Sequence, residues 1–214
     1  MERIASFIEK LIIEGTLKPR ERLIETDLSK ALEVSRPPLR EALRALEREE
    51  LVTFFHRRGI TVTDITEKEV QDVYLIRSIL ESVAVKLATA NITKEDLDKM
   101  EFINEQMSEA VQEGDLKSYF QLDQEFHEII LYAANNQKLS KILKNLEKQT
   151  LRFRFFILSS PGRIEQSQEG HRNLLDALKV RDAEAASNLR LKDVQRGGQI
   201  LGSYVTNKLN FSSL

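Results

Sequence analysis

Along residues 2–14 the apolar side chains Ile4, Phe7, Ile8, Leu11 and Ile12 fall at helical spacing, and Gly15 follows as a stop. A Lys18-Pro19 break precedes a short helix over Glu25–Leu32, and the turn Glu33-Val34-Ser35 leads into a third helix over Arg36–Glu49. In that third helix Leu39, Ala42, Leu43 and Leu46 repeat as i, i+3, i+4 and i+7, the stripe of a half-buried helix. Ser35 suits its N-cap, and Pro37 and Pro38 fall in the first turn, where a missing N–H does little harm. Two β-rich runs, Leu51–Phe55 and Gly59–Thr63, flank a basic tip at His56-Arg57-Arg58 and predict a hairpin.

Three helices closed by a hairpin make a winged helix-turn-helix. From residue 67 to about residue 208 the period is helical almost without relief. Breaks fall at Asn91–Thr93, Gly114-Asp115, Asn135-Asn136, Pro161-Gly162 and Arg181-Asp182, and Thr93…Asp96 has the spacing of a capping box. Six helices with short connections predict antiparallel neighbours, hence a bundle. The expected architecture is mostly α: a winged helix-turn-helix over 1–66 followed by an antiparallel all-α bundle over 67–214.

Composition narrows the class. Hydrophobic residues make up 41% of the 214 and charged residues 31%, the balance of a folded chain. Cysteine is absent, so disulfides, thiolate metal sites and a cysteine nucleophile are excluded. No apolar run approaches the roughly 20 residues that cross a bilayer, and Met1–Ser6 does not begin a signal peptide. The expectation is a cytoplasmic protein with no membrane partner. Net charge is −2, and residues 1–66 hold 12 lysines and arginines against 12 acids, so bulk basicity does not suggest nucleic acid.

Placement suggests it instead. Arg36, Arg40 and Arg44 stand at i, i+4 and i+8, on a face distinct from the leucine stripe. Guanidinium groups there can take guanine edges or clamp phosphate. Ser35 and the helix N-terminus suit a phosphate. The His56-Arg57-Arg58-Gly59 tip has no acid from Leu51 to Thr63 to offset it. The bland alternative is an arginine-rich solvated face with nearby glutamate partners.

In the helical half, Asp123 and His127 are four apart and project from one helix face. His171 lies two helices on. His171 and Asp193 each stand 11 residues from Asp182, so a helical hairpin there sets them at one level; Arg152 is similarly matched to His171 across Pro161-Gly162. Two imidazoles and two carboxylates converging in a bundle make a divalent-metal site. A surface Asp/His pair and an unrelated core histidine read the same residues without a metal.

The run from Leu17 through Leu43, with Ser35-Arg36-Pro37-Pro38-Leu39-Arg40-Glu41-Ala42-Leu43 at its centre, resembles the GntR-family winged helix-turn-helix signature. The resemblance implies that Thr26, Ser35, Arg36, Pro37 and Arg40 face double-stranded DNA, with His56 and Gly59 in the wing. In place of the family's usual Pro-Gly this chain has Pro19-Arg20, and Thr26 sits where some members carry arginine. Residues 69–210 resemble the FCD ligand-binding domain of the FadR branch, in its shorter six-helix, VanR-like form. The carriers are Ile76–Glu81, the Asp123/His127 pair, Glu169-Gly170-His171-Arg172 and Arg181–Ala186.

That second resemblance implies a homodimer, a metal held by one Asp and three His, and an acidic effector held by arginine. Asp123, His127 and His171 match three ligand positions, and Asp193 stands at the fourth. Two carboxylates move preference towards manganese or iron without excluding zinc; zinc comes first and nickel is a further candidate. Arg77 matches the effector arginine, with Arg152 a second candidate; otherwise Arg77 simply pairs with Glu81 at i, i+4. The expected function is a transcriptional regulator, not an enzyme, that binds an inverted-repeat operator as a dimer and responds to an organic acid. Two other readings are a metal-dependent enzyme with an accessory winged helix and a dimeric helical module with a vestigial metal site. No nucleophile elbow, phosphate-cradling glycine loop or His-Glu-x-x-His run supports the enzyme.

Overall fold

A computed structural model of the chain describes residues 2–13, 16–56, 59–64, 66–158, 160 and 162–211, without the side chains of 2, 152, 153, 155, 156 and 206–211. Gly15, Arg57, Arg58, Pro161 and the Arg152 side chain, all named above, lie outside the described residues. The chain separates into two compact units, Met1–Thr66 with Glu147–Arg152, and Glu67–Leu146 with Phe153–Leu214.

The first unit contains α1 (Glu2–Ile13), β1 (Arg22–Leu23), α2 (Glu25–Ala31), α3 (Arg36–Arg48), β2 (Val52–Phe55) and β3 (Gly59–Val62). As the periodicity requires, α3 buries Leu39, Ala42, Leu43 and Leu46. Leu39, Leu43 and Leu46 pack with Ile8 and Ile12 of α1, with Leu51, and with Val52, Ile60 and Val62 of the hairpin. A two-residue strand, β1, escaped the sequence reading. It pairs antiparallel with β3, Arg22 opposite Thr61 and Leu23 opposite Ile60, giving the sheet order β1-β3-β2. Two alternating residues carry too little periodic signal to be read as a strand. Arg20, in the place of the family glycine, takes φ 66°, so the left-handed turn is kept without glycine.

The second unit is helical: α4 (Glu67–Asn91), α5 (Lys94–Glu113), α6 (Leu116–Ala133), α7 (Gln137–Leu158), α8 (Arg163–Lys179) and α9 (Ala183–Phe211). The boundaries have local causes. Thr93 and Asp96 form the capping box of α5, Gly114 ends that helix at φ 69°, and Asp115 accepts from Ser118 N–H to start α6. Arg181 turns the chain at φ 60° and donates to the carbonyls of Thr89 and Ile92 at 2.8 and 2.5 Å, satisfying the exposed end of α4. Met100, Met107, Tyr119, Phe126 and Leu178 are fully buried in the core.

The most extensive helix pair is α4 against α9. Gly198 permits that approach: a Cβ there would stand 2.6 Å from the Cβ of Tyr74. Among the described residues no helix is long and apolar enough to cross a membrane.

Candidate functional site

The buried stripe of α3 leaves its opposite face outward. Arg36, Arg40 and Arg44 are exposed there, with Ser35 and Pro37 exposed at the helix start. Ser35 occupies the N-cap position, yet its side chain makes no capping bond. Arg40 Nε donates to Glu25 Oε2 at 2.7 Å, which braces the side chain against α2. Arg44 pairs with Glu47 at 2.6 Å and lies over the Phe54 ring at 3.8 Å, so α3 and the hairpin share one cation. Thr26 is half-buried, with its hydroxyl 3.3 Å from Asp27 Oδ1. In the wing His56 and Gly59 are exposed, and Gly59 has φ 81°.

In the bundle, one turn of α6 sets Asp123 beside His127, and α8 brings His171 to them. Asp123 Oδ1 lies 3.2 Å from His171 Nε2 and 3.7 Å from His127 Nε2, and the two Nε2 atoms are 3.2 Å apart. Four donors placed tetrahedrally at about 2.1 Å from a metal stand about 3.4 Å from one another. The three atoms therefore already have the spacing of one face of such a site. His171 Nδ1 lies 2.7 Å from the Ser167 carbonyl, which can only accept, so Nδ1 carries the proton and Nε2 faces the triad. Phe126 stacks edge-on against His171 with ring centroids 4.9 Å apart, fixing the imidazole plane.

Arginines surround this triangle. Arg154 Nη2 reaches both oxygens of Asp123, at 2.9 and 2.7 Å. Burial alone would raise the Asp123 pKa, but Arg154, His171 and Arg190 outweigh it and hold the carboxyl at about 2. Glu81 is likewise held at about 2, burial being overcome by Arg190, Arg77 and Arg154. Burial, followed by the charge of Arg190, drives the His127 pKa well below its ordinary value and keeps the ring neutral at pH 7. A neutral imidazole is a ready ligand, although a cation entering here must compete with Arg154 for Asp123.

Asp193 stands apart from the triangle. Arg190 Nη1 holds its Oδ2 at 3.1 Å and Arg163 Nη2 lies 3.5 Å from its Oδ1. It lines a cavity of about 10 Å³ together with His127, Gly170, His171, Leu174, Leu189 and Arg190. Arg77 is buried and pairs with Glu81 at 2.8–2.9 Å.

Residues 1–62 match the gntR family of bacterial regulatory proteins, and residues 72–194 match the FCD domain. The chain belongs to the GntR family. It is 33% identical over 180 residues to the HTH-type transcriptional regulator YdhC of Bacillus subtilis, covering 84% of this chain and 80% of that one. It is 30% identical over 192 residues to the gluconate operon transcriptional repressor of Bacillus licheniformis, covering 85% and 76%. The solved structure of Escherichia coli McbR superposes with a TM-score of 0.81 at 25% identity, covering 94% of this chain and 96% of that one. The protein is thus a transcriptional regulator with a GntR DNA-binding domain and an FCD domain, and its relatives are regulators, not enzymes.

Sequence reasoning found the triad of this GntR regulator but missed most of its surroundings. Arg154, Arg163 and Arg190 were not singled out. Arg190 carries a local signal, three residues before Asp193 and so on nearly the same helix face. Arg163 stands eight residues before His171, again on one face. Arg154 has no such marker; only the packing of α7 brings it to Asp123.

Proposed function

We propose that this regulator binds an inverted-repeat operator as a homodimer in the cytoplasm, with an organic acid bound beside a divalent metal in the FCD domain. The observation that carries the reading is the Asp123–His127–His171 triangle, whose donor atoms already have tetrahedral edge lengths. Zinc suits a donor set with two imidazoles best, with manganese, iron and nickel as alternatives. Asp193, water or the acid completes the coordination. The adjoining cavity, about 10 Å³, has room for about one water, so an acid enters only with side-chain movement. A ligand that requires one side-chain arrangement is what shifts a two-state dimer.

Arg36, Arg40 and Arg44 are the groove-facing cations of this reading, flanked by Thr26, Ser35 and Pro37, with His56, Arg57, Arg58 and Gly59 on adjacent backbone. Dimerisation is supported by an apolar stripe along α4, where Leu75, Ile76, Ile79, Val83 and Leu87 are 37–55% exposed. Two-fold symmetry then reads half-sites about one DNA turn apart.

The test is selection of bound duplexes from a randomised pool, followed by anisotropy titrations with metal and organic acids. Arg40→Ala weakens binding by about tenfold or more with metal content unchanged. Chelation abolishes the response to acid. Wild-type affinity in Arg40→Ala removes that residue from the reading set. Stability and DNA affinity that ignore metal and acids alike leave a dimeric helical module with a vestigial site.

A further inference from the structure

Four guanidiniums, those of Arg77, Arg154, Arg163 and Arg190, gather about three carboxyl groups, Glu81, Asp123 and Asp193. Among the described residues of this cluster the cations exceed the anions by one. Arg77 is occupied by Glu81, Arg154 clasps Asp123, and Arg190 bridges Glu81 and Asp193. Arg163 is the remainder. Its side chain is only 8% exposed, and its ion pair with Asp193 is 3.5 Å long. Its Nε and Nη1 are buried and have no hydrogen-bond partner among the described residues. A buried guanidinium with unanswered donors is costly, because water is excluded and no acceptor replaces it.

Its position says where the missing acceptor belongs. Arg163 begins α8, and Ser167, Gly170 and His171 follow on the same face. Gly170 leaves that face bare: an added Cβ would lie 4.0 Å from Asp193 Oδ1. Gly170, His171 and Asp193 all line the small cavity beside the triad. Arg163 thus stands against Asp193, one of the residues lining the cavity, with two buried donors still unanswered.

We propose that Arg163 is the anchor for the anionic group of the ligand, a carboxylate of an organic acid, which takes the donors that no protein group accepts. This rests on the reading of the bundle as an organic-acid site, and it places the anchor at Arg163 instead of Arg77, whose carboxylate partner is already Glu81. The ligand carboxylate corrects the charge excess and competes with Asp193 for the same guanidinium.

The experiment is a thermal melt and calorimetric titration of the full-length, metal-loaded protein with citrate, gluconate and inorganic phosphate at constant ionic strength. Wild-type melting temperature rises saturably with at least one of the carboxylates. Arg163→Met lowers the apparent affinity by about tenfold or more. Without ligand, that variant melts close to wild type, because it removes two buried donors that lack acceptors while Asp193 keeps Arg190. Arg163→Lys keeps the charge and retains part of the response. A response that survives intact in Arg163→Met overturns the anchor while leaving the organic-acid site standing, most directly if Arg77→Gln abolishes it. Wild-type protein that responds to none of the probes overturns the organic-acid reading and the anchor together.

Discussion

Replacing Asp123 by Asn removes one charge and almost no volume from a carboxyl group that is 1% exposed. The native group is held at about 2, against an ordinary value of 3.8. That difference corresponds to about 2–3 kcal/mol of stability at neutral pH. Arg154, with a side chain 14% exposed and 2.7 Å from Asp123 Oδ2, loses this carboxylate and the charge-assisted contact with it. Breaking one side of a buried pair generally costs about 3–5 kcal/mol. Asp123→Asn should therefore lower the stability of the metal-stripped protein by about 3 kcal/mol, roughly 6–12 °C in melting temperature. The assay is urea unfolding followed by circular dichroism, completed as a double-mutant cycle with Arg154→Met. The double variant recovers most of the loss, since the charge that lost its partner is gone too. A loss below about 1 kcal/mol in Asp123→Asn, or a double variant as unstable as the sum of the singles, refutes the buried-pair argument.

Three other outcomes follow from the geometry. Gly198→Ala would drive a Cβ to 2.6 Å from Tyr74 Cβ, and overpacking of the α4/α9 contact should cost about 1–3 kcal/mol, read as a lower urea midpoint. His127 is kept neutral in the folded bundle but protonates below about pH 6.5 when unfolded. Its contribution to stability is complete above that pH and falls on acidification by up to about 1.4 kcal/mol per pH unit. His127→Gln should flatten this slope in metal-stripped protein; an unchanged slope would assign it elsewhere. Asp123 and Glu81, both depressed to about 2, add a further loss as pH falls from about 4 to 2. Finally, zinc at about a hundredfold excess over its dissociation constant should stabilise wild type by about 2.7 kcal/mol, and His171→Ala should abolish that gain.

The six-helix half could be read from the chain because its punctuation is local. Gly114, the Thr93–Asp96 capping box and the left-handed Arg181 each end or begin a helix through atoms within a few residues. The same holds for α3, whose buried Leu39, Leu43 and Leu46 are fixed by a 3.6-residue period. Asp123 and His127 are legible as a pair for that reason; counting across the helix hairpin matches His171 with Asp193, and the FCD resemblance adds His171 to the pair. β1 was not legible, because its two residues are a strand only through pairing with β3.

Several of the charge pairs around the triad are decided by tertiary structure. Sequence spacing marks Arg152, His171 and Asp193 as candidates, and the FCD resemblance marks Arg77, but spacing along a helix says nothing about which neighbouring helix supplies a partner. Glu81 and Arg190 lie within one turn of Arg77 and Asp193 on their own helices, whereas packing brought Arg154 to Asp123, Arg190 to Glu81 and Arg163 to Asp193. Packing also left Arg163 with buried donors that no atom of the described residues meets. Periodicity determines which face of each helix is buried, because water acts on every residue in turn. Which charges meet inside is decided by how helices distant in sequence are laid against one another, and only there do desolvation and Coulomb attraction select the pairs.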